Sequence, residues 1–67
     1  MEEAQIRKIL EVTERQVGLL ERCIADTRMD EFEFNPRIYR AMIAGYESQR
    51  DDLQVEARKY RSELGLD

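Results

Sequence analysis

Histidine and tryptophan are absent from this chain of 67 residues, and cysteine and proline occur once each. Each scarcity excludes something. A lone Cys23 permits no internal disulfide, and without histidine the common Cys/His zinc sites cannot be completed. The same lack removes the usual base for a serine or cysteine nucleophile. With only three scattered glycines there is no Gly-rich phosphate loop. No apolar run approaches the ~20 residues that cross a bilayer, and the acidic opening MEEAQIRK is not a secretory signal. The expectation is a cytoplasmic protein that is not an enzyme, with no cofactor, metal site or membrane contact.

What remains is a mixture of charge and aliphatic bulk. Charged residues make up 39% and hydrophobic ones 42%, a helical or coiled-coil composition rather than a disordered one. A chain below about 70–80 residues rarely builds a self-sufficient core without staples. Here those are missing, so helix packing and oligomerisation must supply the stability. The net charge of −4 sits in the first half: residues 1–34 hold nine acids against five bases, and residues 35–67 hold six of each. Net acidity gives no overall attraction toward nucleic acid or anionic lipid. The initial Met and the closing GLD lean toward a complete small protein rather than a fragment.

Along the first segment, Ile6, Leu10, Thr13, Val17, Leu20, Ile24 and Thr27 recur at alternating spacings of four and three. That is the seam of a helix lying along another helix, and it predicts a helix over about 2–28. Ile9, Gln16 and Cys23 form a second line beside it, and Val12 and Leu19 widen the arc further. At about 100° per residue the arc covers nearly half the circumference. One partner helix buries a narrower stripe, so the width argues for two neighbours. Cys23, on the flank of this arc, reads as a small buried hydrophobe. The outer face carries Arg7, Lys8, Glu11, Glu14, Arg15, Glu21 and Arg22, with Arg7–Glu11 and Glu11–Arg15 as i, i+4 pairs.

The second segment predicts a helix over about 36–64. Tyr39, Met42, Ile43, Tyr46, Leu53, Ala57, Tyr60 and Leu64 share one face, with Ile38 at its border and Gln49, Arg50 and Glu56 interrupting it. Gly65 is a natural helix stop. Two helices of similar length with a connector at about 29–35 predict an antiparallel hairpin, one domain over 1–67. Centring the turn near residues 31–32 brings Gly18 level with Gly45, either as a close approach of backbones or as two tolerated glycines.

The connector, DEFEFNPRIY, crowds acids and aromatics together. Asn35 and Pro36 are N-cap and N1 of the second helix, and Phe34 with Tyr39 occupies the staple positions N′ and N4. Asp26, Asp30, Glu31 and Glu33 lack the spacing of a calcium loop and suit the helix dipole instead. Phe32 has no such assignment. It either closes the core over Met29 or Ile24, the usual fate of an aromatic beside a helix end, or stands out with Met29 as a partner-binding anchor. Tyr39, Tyr46 and Tyr60 form a stripe that coincides with the apolar seam, so it reads as core edge rather than a base-stacking platform.

Together these features predict an all-α antiparallel hairpin that self-associates, as a homodimer, into a four-helix bundle. The expected core and interface residues are Ile6, Ile9, Leu10, Val12, Val17, Leu19, Leu20 and Ile24, with Tyr39, Met42, Ile43, Tyr46, Leu53, Tyr60 and Leu64. The expected function is non-catalytic protein binding by a small regulator, adaptor or inhibitor. One alternative is an RNA- or DNA-binding hairpin dimer that uses Arg37, Arg40, Arg58, Lys59 and Arg61, although acids interleave with those bases. Another is a structural dimerisation segment.

Overall fold

A computed structural model describes residues 2–66. Helix α1 runs Glu3–Met29, a single 3₁₀ turn occupies Glu31–Glu33, and helix α2 runs Pro36–Glu63. The two helices pack along each other as an antiparallel hairpin with Cα extents of 46 × 17 × 14 Å. Both helices start and stop where the sequence provides the chemistry. At the N-terminus of α1, Gln5 Oε1 accepts from the Glu2 backbone N–H at 3.4 Å. The start of α2 is capped by Asn35, whose Oδ1 accepts from the Arg37 backbone N–H at 2.9 Å, with Pro36 at the position where its missing N–H costs nothing.

The end of α2 is a Schellman motif. The Gly65 N–H donates to the Ser62 carbonyl at 3.0 Å and the Leu66 N–H to the Arg61 carbonyl at 2.8 Å. Gly65 has φ +72°, the left-handed conformation that this closure needs and that a side chain resists.

The core is the first seam of α1. Ile6, Leu10, Thr13, Ile24 and Thr27 are buried and Val17 and Leu20 half-buried. From α2, Ile43 and Ala57 are buried, while Tyr39, Met42, Tyr46, Leu53, Tyr60 and Leu64 are half-buried. Two buried threonines sit on this seam, and no buried side-chain polar atom among the described residues lacks a partner. Such a core is thin. Apart from Ala57 at 1%, no buried apolar residue falls below the 5% exposure of Ile24. The accessible surface is 5231 Å² for 8.0 kDa, against about 4,450 Å² for a compact monomer of that mass. The radius of gyration, 15.0 Å, likewise exceeds the roughly 11 Å of a compact domain of this length.

Two expectations need correction, and one open alternative is decided. Gly18 and Gly45 do not mark a close approach, because a Cβ built on either meets no atom within 4 Å. The helices are offset from the register that would make the two level: Gln16, Leu19 and Leu20 share a hollow with Gln49 and Leu53, so Gly18 lies opposite residues near 50. Arg7 does not pair with Glu11. It reaches back to Glu3 at 2.9 Å, the acid-before-base order that the helix dipole favours, while Arg15 pairs with Glu11 at 2.9 Å as expected. Cys23, expected to be buried, is exposed.

The open space at Gly18 makes alanine cost-free there, so Gly18→Ala raises stability by about 0.8–1.0 kcal/mol. At Gly65 the same change lowers it by a comparable amount, because φ is positive. Urea denaturation at one fixed protein concentration measures both, and opposite signs are expected.

Candidate interaction surfaces

The hairpin has two unlike broad faces. On one, charged side chains bridge the helices: Arg61 Nε donates to Glu14 Oε1 at 3.0 Å, and Arg28 lies 3.7 Å from Glu47. Arg50 belongs to the same side. Only 25% of its side chain is exposed; its stem packs inward and its guanidinium reaches Asp51 at 3.0 Å and Glu47 at 3.9 Å. Each of these pairs is partly solvated and contributes at most about 1 kcal/mol. Their placement matters more than their energy, since it distinguishes this face from the other.

The other broad face has neither of these bridges. Ile9, Val12, Gln16, Leu19 and Cys23 follow one another on α1 at spacings of three and four, a second seam beside the first. Here α2 leaves that seam largely open: Val12 is 36% and Leu19 56% exposed, Gln16 and Cys23 are exposed, and Ile9 is half-buried. On α2 the matching flank carries Ile38, 55% exposed, with half-buried Met42, Leu53 and Tyr60. Gln16, Leu19 and Leu20 meet Gln49 and Leu53 in a shallow hollow at its middle. The fifteen expected core and interface residues thus divide. Ile6, Leu10, Ile24 and Ile43 are buried, nine are half-buried, and Val12 and Leu19 remain exposed.

At the connector and the end of α1 lie the most exposed large apolar groups among the described residues. Phe32 is 97% and Met29 82% exposed. Phe32 therefore does not close the core over Ile24, contrary to the expectation for an aromatic beside a helix end. The reason is local. Phe34, in an extended conformation (φ −107°, ψ 151°), is half-buried and lines a hollow with Glu31, Phe32, Pro36, Tyr39 and Arg40. The two staple positions, Phe34 and Tyr39, thus border the same hollow, and Phe34 is the more buried of the two phenylalanines. In the tight 3₁₀ turn Phe32 is left in solvent, flanked by Asp30, Glu31 and Glu33.

The basic residues do not gather. Arg37 and Arg40 lie beside the connector, while Arg58, Lys59 and Arg61 lie about 27 Å away along α2, at 1.5 Å per residue. Arg61 is moreover engaged by Glu14. Among the described residues no three His, Cys, Asp or Glu side chains come together as a metal-ligand set. No described helix is long and apolar enough to cross a membrane.

The exposures separate two classes of apolar residue, and mutation separates them too. Phe32→Ala is expected to change stability by less than about 0.5 kcal/mol, whereas Leu10→Ala, at an 8%-exposed site, costs about 2–3 kcal/mol. Thermal melts of both variants beside the parent check this pair.

No protein-family model matches the chain, and no curated protein or solved structure matches it significantly.

Proposed function

We propose that this hairpin is a non-catalytic protein-interaction subunit, a small regulator, adaptor or inhibitor that works as a homodimeric four-helix bundle. The observation that carries this reading is the second apolar seam of α1, running from Ile9 to Cys23 and left largely open by α2. A thin core and excess surface favour association, because at about 25 cal/mol per Å² an open apolar face is costly for so small a chain. Two copies joined on these faces give each α1 the second neighbour that its wide arc calls for.

The connector supplies the contact with another protein. Phe32 and Met29 stand clear of the bundle, which suits an aromatic anchor entering a partner's pocket. Asp30, Glu31 and Glu33 around that anchor select a pocket with a basic rim. Nucleic-acid binding is less well supported, since the two basic groups sit at opposite ends of α2 and Arg61 is paired with Glu14.

Sedimentation equilibrium at micromolar concentration is expected to give a dimer. Leu19→Glu, placing a charge on the open seam, is expected to give a monomer of unchanged helicity. A well-folded monomer for the parent chain overturns the bundle. For partner binding, the immobilised chain is exposed to native cell extract with and without nuclease. A specific protein retained by the parent and lost with Phe32→Ala is expected, and recovery abolished by nuclease overturns the protein-binding reading.

A further inference from the structure

We infer that the second copy docks on the open face with its two-fold axis parallel to the helices, bringing both connectors to the same end. The inference rests on the self-association proposed above and adds what that leaves open, the orientation and hence the shape of the binding end. The Cα outline of the whole hairpin, 46 by 17 Å, encloses roughly 800 Å², so docking along its full length reaches the ~800 Å² per partner of a standard-size interface.

Charge selects the orientation. At about 100° per residue, the outer rim of this face on α1 carries Lys8, Arg15 and Asp26, two bases against one acid. Its rim on α2 carries Asp52, Lys59 and Glu63, two acids against one base, and Glu56 lies just inside it, in line with Ile38. All seven residues are exposed. Two hairpins stacked face to face have two symmetric arrangements, each with every neighbouring helix antiparallel. If the two-fold axis crosses the helices, α1 lies on α1 and α2 on α2, so basic rim meets basic rim and acidic meets acidic. If it runs along them, each α1 lies on the partner's α2, and opposite signs meet along both edges. Complementary rims favour the second arrangement and like-charge contact disfavours the first.

The levels agree with this choice. A symmetry axis along the helices keeps the heights of the hairpin, in which Gln16 and Leu20 are level with Leu53 and Gln49. Arg15 then stands opposite the partner copy's stretch from Asp52 to Glu56. The consequence is functional: the two Phe32 side chains emerge from one end of the bundle, a bivalent surface for a partner with two pockets or two copies. Arg37 and Arg40 of one copy are, by the same token, kept away from the far-end bases of the other.

Two measurements test the orientation. With Cys23→Ser and Glu31→Cys, a spin label on the new thiol reports the distance between connectors. About 20 Å is expected, since neighbouring helix axes lie only 8–10 Å apart. A separation near the 46 Å length of the hairpin overturns the inference while leaving the dimer intact. A monomer in sedimentation overturns both. Charge reversal gives an independent reading: Arg15→Glu weakens dimerisation by roughly tenfold, about 1.4 kcal/mol, and Glu56→Arg added to it restores the affinity. Rescue separates contact between copies from the loss of the Glu11–Arg15 pair within α1. Tighter dimerisation of Arg15→Glu alone means α1 lies on α1, and the inference fails.

Discussion

In a two-helix hairpin each helix has one neighbour, and that limit governs this molecule. Helix α1 offers apolar residues over nearly half its circumference, and α2 covers only the line from Ile6 to Thr27. Two threonines are buried on that line while Val12 and Leu19, both more hydrophobic, remain exposed. A helix aligned with a seam must accept everything on it, because the side chains stack at fixed spacings of three and four. The choice between the two seams is therefore collective. The first is longer and apolar at five of its seven positions, whereas Gln16 interrupts the second at its centre.

Covering one seam also sorts the charges. Once α2 lies beside the first seam, Glu14 and Arg28 face Arg61 and Glu47 on one side, and the ion pairs between the helices form there. These bonds are partly solvated and individually weak. They nevertheless stabilise one alignment of the helices over its neighbours, since a shift by one turn separates both pairs at once. The opposite side keeps its apolar residues, with rims that are net basic on α1 and net acidic on α2. Burial, bridging charge and open surface are consequences of the same packing.

The connector follows a separate, local logic. Asn35 and Pro36 fix the start of α2, and Phe34 and Tyr39, at the staple positions, border one hollow beside it. These devices act within a few residues and need no tertiary partner. With Phe34 turned inward, the 3₁₀ turn leaves Phe32 in water among three acids. On the reading proposed above, the structured turn has already fixed the backbone of Phe32 before a partner arrives.

By itself the sequence determined the two helices, the caps of α2 and the line along which they pack, because these depend on side-chain spacing and on chemistry local to the backbone. The wide arc of α1 was legible for the same reason, whereas the Glu2–Gln5 cap of α1 was not read from it. Only the tertiary structure decided which part of the arc is covered, where Cys23 and Phe32 go, and that Gly18 and Gly45 never meet. Those outcomes depend on the vertical offset of the helices and on competition for the inward positions. Periodicity repeats at every turn, so it carries no information about offset; side-chain contacts and ion pairs across the hairpin set it.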